Sequence, residues 1–335
     1  MKILIDAMSG DNAPLEIIRG AAMAAAAYDC EIMFIGDEDT IVNLASENNI
    51  EINRSNIKLV HSSSVISMED APLSVVREKS DSSMAVGLKM LAAGEGDAFV
   101  SAGNTGALYA GATLIVRRIK GVKKAAIATV IPFARPVLLL DSGANVELPA
   151  EAYVQLAQMG TIYMRSIFGI PSPEVGLLNI GAERTKGTKL LVEVYNMLEQ
   201  DPTINFKGNV EGKELPFGVC DVLVTDGFTG NIVLKLTEGV SSFLLSKIKE
   251  VFYSNLITKA SALFVKKGMT NLKNEYNSSQ YGGAPLLGIS RPVIKAHGSS
   301  DAEAIKNAVR QAIGYINTGI IYEIARLTVG DELGE

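Results

Sequence analysis

The feature that most constrains this chain is a regular alternation of short apolar runs with longer segments in which apolar residues recur at helical spacing. Runs such as 2–8, 31–36 and 219–225 have the length and composition of buried strands. Strands that alternate with helices predict parallel strands joined by helical crossovers. We therefore predict an α/β fold of three αβα layers with a mostly parallel sheet.

Polar loops rich in Gly, Ser, Thr, Asn and Asp follow six of the predicted strands. The carboxyl ends of parallel strands form the edge at which such sheets bind ligands, so we expect these loops to meet there. Two of the loops also contain a lysine, Lys186 or Lys295. The six loops are residues 6–12, 101–106, 141–145, 181–188, 226–231 and 295–301.

The most distinctive loop is Ser101-Ala-Gly-Asn-Thr-Gly-Ala107, which lies between a strand-like run and a helical run. Backbone N–H groups at such a helix start can hold an anion, and Ser101, Asn104 and Thr105 add side-chain donors. Gly103 lets the main chain approach a ligand closely. A strand–helix turn with an Asn or Thr cap explains the same residues, and both interpretations stay open.

Length and composition indicate a large globular protein. The chain has 335 residues, of which 47% are hydrophobic and 20% charged, and we predict one catalytic unit over 1–335. The net charge of −6 argues against general binding to nucleic acid. No apolar run reaches the roughly 18 residues that a membrane-spanning helix needs. The chain opens on strand-like residues, so no signal peptide is expected.

The cysteines and histidines are few and widely spaced. Cys30 and Cys220 each adjoin an apolar run, which predicts two buried free thiols in a reducing cytosol. The two histidines, His61 and His297, do not have metal-ligand spacing. The sequence therefore predicts no metal site.

Familiar motifs for nucleotide binding and nucleophilic catalysis are missing from the sequence. There is no Walker A motif, no Gly-x-Gly-x-x-Gly and no Gly-x-Ser-x-Gly. The polar loops instead indicate an anion-binding cleft with lysines and amide and hydroxyl donors. This favours a reaction in which the bound anion itself attacks, and inorganic phosphate is such a nucleophile. The protein then supplies mainly positioning and an oxyanion site.

Five motifs, in this order along the chain, resemble those of the PlsX-type phosphate acyltransferases. Each motif alone is common, whereas the ordered set covers nearly the whole chain and is specific. They are Asp6-Ala-Met8, Ser101-Ala-Gly-Asn-Thr-Gly-Ala107, Asp226-Gly-Phe-Thr-Gly-Asn231, Gln280-Tyr-Gly-Gly-Ala284 and Lys295-Ala-His-Gly-Ser-Ser-Asp301.

The resemblance implies both a fold and an activity. The implied fold is similar to isocitrate/isopropylmalate dehydrogenases and phosphate acetyltransferases. The implied reaction moves a fatty acyl group from acyl-acyl carrier protein to inorganic phosphate, without a metal or other cofactor, for phospholipid synthesis. The resemblance also implies a cytoplasmic homodimer that associates peripherally with the membrane, and a downstream glycerol-3-phosphate acyltransferase as a possible partner.

Single loop residues also have expected roles. Lys186, in a loop after a buried strand, is expected to bind phosphate and to stabilise the tetrahedral oxyanion. Asn231 either caps the next helix or, in the context of the resemblance, stabilises the oxyanion, and Asp226 ends a strand and orients Lys186 or caps the next helix. The first loop has Asn12 where the family usually has a histidine, so a histidine base is not expected at that place. The residues predicted to bind phosphate or substrate are Asp6, Ser101, Gly103, Asn104, Thr105, Thr229, Gly230, Lys295, His297 and Ser299.

Two other functions remain open at this level. A short-chain phosphate acyltransferase that uses acyl-coenzyme A would be compatible with the same fold. A dehydrogenase of this fold would bind a nicotinamide cofactor and a metal-held hydroxy acid. It needs a cluster of Asp ligands and a cluster of Arg side chains, and the sequence shows neither plainly.

Residues 241–273 are predicted to form a basic amphipathic helical hairpin with a turn near Ser254-Asn255. Apolar residues recur at helical spacing on both sides of this turn, and six lysines with one glutamate give a local charge of +5. Such a hairpin can lie in the headgroup region of an anionic membrane, while carrier-protein docking and a dimer interface stay open. The predicted membrane contacts are Leu256, Lys259, Leu263 and Phe264.

Overall fold

The computed structural model describes residues 1–255, 258–259, 261, 264–269 and 281–329. In chain order the strands are β1 (Lys2–Asp6), β2 (Glu31–Gly36), β3 (Ile57–His61), β4 (Ala98–Ser101), β5 (Ala126–Ile127), β6 (Thr129–Pro132), β7 (Pro136–Leu140), β8 (Glu174–Asn179), β9 (Asn205–Glu211), β10 (Val222–Val224), β11 (Ala284–Leu287) and β12 (Val293–Lys295). The helices are α1 (Leu15–Ala27), α2 (Glu38–Glu47), α3 (Ser83–Ala93), α4 (Thr105–Gly111), α5 (Ala150–Phe168), α6 (Lys189–Gln200), α7 (Gly227–Tyr253), α8 (Ala302–Asn317) and α9 (Ile320–Val329). Short 3₁₀ helices lie at Pro72–Val76 and Gly212–Phe217, and a π-helical turn at Ala112–Val116.

The strands form two sheets, each mostly parallel. The first has the order β3-β2-β1-β4-β12-β11-β5, in which β11 runs antiparallel to both of its neighbours. The second has the order β6-β7-β10-β8-β9, in which β6 is antiparallel to β7. The predicted α/β class is thus confirmed, although the strands divide between two sheets where the sequence predicted one.

The chain passes from the first sheet to the second within an apolar run, 125–131, that predicts a single strand. Ile127 in β5 pairs with Leu286 of the first sheet, whereas Thr129 in β6 pairs with Leu139 of the second. An apolar sequence pattern shows that a strand is buried, but it does not show which strand lies next to it. The change of pairing partner between β5 and β6 therefore leaves no signal in the sequence.

Helices cover both faces of the first sheet. Buried residues of α1 and α8, such as Ile18 and Ile305, pack with Phe34 on one face, while Leu88 of α3 packs with Phe99 on the other. Full burial of each such side chain stabilises the fold by roughly 1.5–3 kcal/mol. In the second sheet, residues of α5, α6 and α9 share a core with β7, β8 and β10. These cores fix the strands whose carboxyl ends carry the polar loops.

Helix α7 has 27 residues and packs on the protein only near its start. Val233 and Leu234 adjoin a small core on the second sheet. Beyond them, large apolar side chains recur at helical spacing and are exposed to solvent, including Val240, Leu244 and Val251. Helical residues resume at 258–259, after the predicted turn.

The predicted membrane contacts lie around and beyond this turn. Phe264 is 90% exposed and Lys259 is also exposed, whereas Leu256 and Leu263 lie outside the described residues. Within the described part of the chain, no helix has both the length and the apolar character needed to cross a bilayer. The 241–273 hairpin and the single catalytic unit stay predictions.

Candidate active site

Loops from both sheets line a cleft of about 630 Å³, a volume within the roughly 300–1,000 Å³ of small-molecule sites. Five of the six predicted loops contribute to it, and loop 181–188 does not. The loop residues that line the cleft are Asp11, Gly103, Thr105, Ser142, Gly143, Asn231, Lys295, Ala296, His297, Gly298, Ser299, Ser300 and Asp301.

The loop before α4 presents Gly103 and Thr105 to the cleft, while Asn104 holds the loop in place. The Asn104 Oδ1 accepts the N–H of Ala107 at 3.1 Å and so caps α4. Its Nδ2 donates to three carbonyl oxygens of a neighbouring loop, those of Ser67, Met68 and Asp70, at 3.0–3.2 Å. The amide of Asn104 therefore positions the loop, and its predicted contact with phosphate stays a prediction.

Asp6 and Ser101 form a buried network behind the cleft. Ser83 Oγ and Ser101 Oγ donate to the two carboxylate oxygens of Asp6, at 2.6 and 2.7 Å. Burial raises the pKa of Asp6, and these hydrogen bonds oppose that rise. The Ser101 Oγ also accepts the N–H of Gly103 at 3.1 Å, so the network fixes the loop backbone. Neither Asp6 nor Ser101 lines the cleft.

Asp226 caps α7 by accepting from Thr229. The Asp226 carboxylate accepts the backbone N–H of Thr229 at 2.8 Å and its hydroxyl at 2.9 Å. Of the two roles predicted for Asp226, the structure shows capping. A side chain at Gly230 would collide with the carbonyl oxygen of Asp141, so glycine lets the first turn of α7 pack against loop 141–145.

Asn231 is the residue of loop 226–231 that lines the cleft. Its Nδ2 donates to the carbonyl oxygen of Ser142 at 3.3 Å. Gly143 has a φ of +146°, and a Cβ there would lie 2.8 Å from the same nitrogen. A primary amide has two N–H groups, so Asn231 retains a second donor for a ligand.

Loop 141–145 is organised by the carboxylate of Asp141. This buried group accepts the backbone N–H groups of Gly143, Ala144 and Asn145 at 2.8–3.1 Å. Asp141 is therefore the residue that stabilises this turn. Its effect is to hold Ser142 and Gly143 at the cleft.

Lys295 lies at the end of β12 and lines the cleft. Its ammonium donates to the carbonyl oxygens of Ala102, at 3.3 Å, and Ala296. Burial lowers the pKa of Lys295 to about 8; Asp11 opposes this shift, and the Lys235 ammonium adds to it. A positive charge on Lys295 is thus maintained at neutral pH and lost in mild alkali.

His297 has polar contacts at both of its ring nitrogens. Lys235 Nζ lies 3.1 Å from Nε2 of the ring, and Ser299 Oγ lies 2.9 Å from Nδ1. The backbone N–H of Ser299 also approaches Nδ1, at 3.2 Å, so a donor group faces each ring nitrogen. Burial and the Lys235 charge lower the pKa of His297, in accord with a neutral ring.

Lys235 and Glu238 line the cleft, although sequence analysis did not select them. Their side chains form an ion pair of 3.0 Å, three residues apart on α7. Lys235 lies four residues after Asn231, so both point from one face of the helix. That spacing was the signal from which Lys235 could have been found.

Asn12, the residue that departs from the family pattern, joins the first loop to loop 295–301. Its Nδ2 donates to the carbonyl oxygens of Ser299 at 3.0 Å and Ser300 at 3.4 Å.

Across the described ranges, no three His, Cys, Asp or Glu side chains are grouped as possible metal ligands.

Lys186 does not line the cleft. Its side chain is 47% exposed, and its Nζ is 4.0 Å from Glu183 Oε2. In the second sheet β10 lies between β7 and β8, so loop 226–231 separates loop 181–188 from loop 141–145. The catalytic role of Lys186 stays a prediction that the geometry of the cleft does not support.

Known proteins similar to this chain cover nearly all of its length. A family profile described as a fatty acid synthesis protein matches residues 1–323. The chain is 44% identical over 335 residues to a phosphate acyltransferase of Alkaliphilus oremlandii (strain OhILAs), with 99% of both chains covered. It is also 44% identical over 337 residues to a phosphate acyltransferase of Thermoanaerobacter pseudethanolicus (strain ATCC 33223 / 39E), again with 99% of both covered.

Solved structures share the fold at low sequence identity. A phosphotransacetylase from Streptococcus pyogenes has a TM-score of 0.65 and 17% identity, over 95% of this chain and 94% of that chain. A putative 4-hydroxythreonine-4-phosphate dehydrogenase from Salmonella typhimurium has a TM-score of 0.53 and 11% identity, over 93% and 98%. The predicted fold class, enzyme class and family are confirmed. The chain therefore belongs to the family that this profile describes, which is that of the PlsX-type phosphate acyltransferases.

Proposed function

We propose that this protein transfers a fatty acyl group from acyl-acyl carrier protein to inorganic phosphate, giving acyl phosphate for phospholipid synthesis. The observation that carries the proposal is a cleft in which two lysine ammonium groups, Lys235 and Lys295, accompany the amide of Asn231. Lysine is a common ligand of phosphate, and an amide N–H suits a developing oxyanion. Family membership supports the same reaction.

Direct attack by phosphate is favoured over a covalent acyl-enzyme. Ser299 and His297 form the contact expected of a nucleophile and its base. However, Nε2 of His297 faces the ammonium of Lys235 at 3.1 Å, whereas an activating base needs an acceptor that orients its second ring nitrogen. Burial and the Lys235 charge also lower the pKa of His297, which weakens the ring as a base, so this pair is not arranged to activate Ser299.

In the proposed reaction a phosphate oxygen attacks the carbonyl carbon of the thioester. The carbonyl oxygen becomes an oxyanion, and the free N–H of Asn231 stabilises it. The intermediate collapses as the carbon–sulfur bond breaks, which releases acyl phosphate and the carrier thiolate. Apolar lining residues provide a surface for the acyl chain, among them Ile127, Val130 and Leu234.

The identity of the donor separates this proposal from its alternatives. We expect phosphate-dependent release of thiol from a long-chain acyl-acyl carrier protein to exceed release from the matching acyl-coenzyme A. The measurement is thiol appearance with a colorimetric reagent, with and without phosphate. Equal or better use of the coenzyme A ester would favour the short-chain type of enzyme, and no phosphate-dependent release from either would favour a dehydrogenase.

We further propose a homodimer that contacts the membrane peripherally and supplies acyl phosphate to a glycerol-3-phosphate acyltransferase. The support is the exposed apolar face of α7 and the neighbouring lysines. Apolar side chains beside basic ones suit the headgroup region of an anionic bilayer. The alternative to membrane contact is an interface with another protein, in which exposed aromatic residues are also common.

The membrane contact has a direct test in Phe264→Glu. We expect this change to reduce sedimentation with anionic vesicles by roughly 10-fold, because burying a carboxylate in the interface opposes binding. Phe217→Glu is the matched control, since Phe217 is 74% exposed in a 3₁₀ helix remote in sequence from 241–273. Unchanged vesicle binding by Phe264→Glu, or a change of oligomeric state in size-exclusion chromatography, would show that the residue serves another interface.

A further inference from the structure

We propose that Lys235 is a phosphate-binding residue of the cleft, and that Glu238 competes with phosphate for it. The inference rests on the proposed function, whose nucleophile it places. Lys235 lines the cleft beside Asn231 and His297, and its side chain is 53% exposed. A ligand entering from solvent can therefore reach the ammonium group.

The position of Lys235 follows from α7. Residues four apart on a helix lie on one face, so the Asn231 amide and the Lys235 ammonium both point into the cleft. Capping by Asp226 and the close packing at Gly230 fix the first turn of this helix. An anion held by Lys235 is thereby placed one helical turn from the amide proposed to hold the oxyanion.

His297 and Glu238 hold the ammonium group at the cleft. Lys235 Nζ lies 3.1 Å from Nε2 of the ring, and the Glu238 carboxylate accepts one of its N–H groups at 3.0 Å. An ammonium has three donors, so one remains for a phosphate oxygen. His297 follows β12 of the first sheet, whereas Lys235 lies on the helix after β10 of the second. Their hydrogen bond therefore also joins the two sides of the cleft.

Glu238 gives the inference its most distinctive consequence. An exposed ion pair between helix residues three apart is weak, so phosphate can replace the carboxylate on Lys235. A carboxylate left beside a phosphate dianion repels it. Removing the charge of Glu238 should thus strengthen phosphate binding, whereas removing the charge of Lys235 should weaken it.

The chain contains a matched control pair farther along the same helix. Lys247 and Glu250 form an ion pair of 2.8 Å at the same spacing, and neither lines the cleft. Substituting them changes the net charge of the protein and of α7 by the same amount. Any difference between the two pairs therefore reports the cleft and not the overall charge.

The experiment measures binding of inorganic phosphate by calorimetry without acyl donor, and the phosphate KM with donor. We expect Lys235→Met to raise both the Kd and the KM for phosphate about 10-fold or more, as for loss of a hydrogen bond to a charged group. Glu238→Gln should lower both about 2-fold to 5-fold, from loss of a nearby like charge. Lys247→Met and Glu250→Gln should leave both unchanged, and kcat should change less than KM in each variant.

Three outcomes would overturn the inference: wild-type phosphate affinity in Lys235→Met, weaker binding in Glu238→Gln, or equal shifts in the control pair. Lys235→Arg keeps the charge and separates binding from folding, since it should retain most of the affinity even if Lys235→Met unfolds. Failure of the proposed function has a different signature. Wild-type protein would then release no carrier thiol with phosphate, while calorimetry would still report whether Lys235 binds the anion.

Discussion

Replacing Asn231 by alanine is expected to lower turnover by roughly 100-fold or more at saturating phosphate. The change removes the side-chain N–H that is proposed to stabilise the oxyanion, and loss of one preorganised donor of this kind typically costs 10²–10³-fold in kcat. The fold should persist, because Asn231 is an exposed residue at the start of α7. The measurement is carrier-thiol release at saturating donor and phosphate, together with a thermal melt.

Two further variants serve as comparisons for Asn231→Ala. Asn205→Ala removes an exposed amide of β9, whose Nδ2 donates to the Ser172 carbonyl, and should leave turnover unchanged. Near-native turnover in Asn231→Ala would assign that side chain to structure alone. If Lys186 had the oxyanion role expected from the sequence, Lys186→Ala would cause an equally large loss. Retained turnover in this variant would confine the oxyanion role to residues of the cleft.

Replacing Lys295 by methionine is expected to lower kcat/KM for phosphate by roughly 100-fold. Two losses add here, a charged hydrogen-bond donor and a positive charge in a partly desolvated site. In the wild type the ammonium form exists below the pKa of about 8. We therefore expect kcat/KM for phosphate to fall as the pH rises through about 8, since deprotonation removes the charge.

Arginine at position 295 provides the control for this pH dependence. A guanidinium stays protonated well above the pH at which Lys295 loses its proton, so Lys295→Arg should move the alkaline fall to higher pH. The alkaline fall should vanish in Lys295→Met. A fall near pH 8 that survives in both variants would mean that another group titrates there.

The location of the cleft could be predicted from the sequence because strand ends are visible in the apolar pattern. Loops 101–106, 226–231 and 295–301 were identified in this way, and all three contribute to the cleft. Strand order was not predictable, since it is decided by tertiary packing. The insertion of β10 between β7 and β8 is what separates Lys186 from loop 141–145.

The roles of individual loop residues were harder to predict for a chemical reason. An asparagine can serve as a helix cap or as a phosphate ligand, so Asn104 fits both roles in sequence and caps α4 in the structure. Asp226 likewise fits either a cap or a partner of Lys186 in sequence, and it caps α7 in the structure. Lys235 and Glu238 were missed because a lysine and a glutamate three residues apart resemble any surface ion pair. Only the cleft around them distinguishes this pair from Lys247 and Glu250.

Helix α7 is anchored at one end and extends away from the cleft at the other, so it acts as a long lever arm. Its fulcrum is the contact of Gly230 with Asp141, one residue from Asn231. Val251 lies twenty residues farther along, about 30 Å away at 1.5 Å per residue. A tilt that carries Val251 through about 3 Å moves Asn231 by only a small fraction of an ångström, whereas a misplacement of about 1 Å is enough to impair catalysis. The free end of α7 can therefore move together with a surface that it contacts. The Asn231 amide, next to the fixed point at Gly230, keeps its position in the cleft.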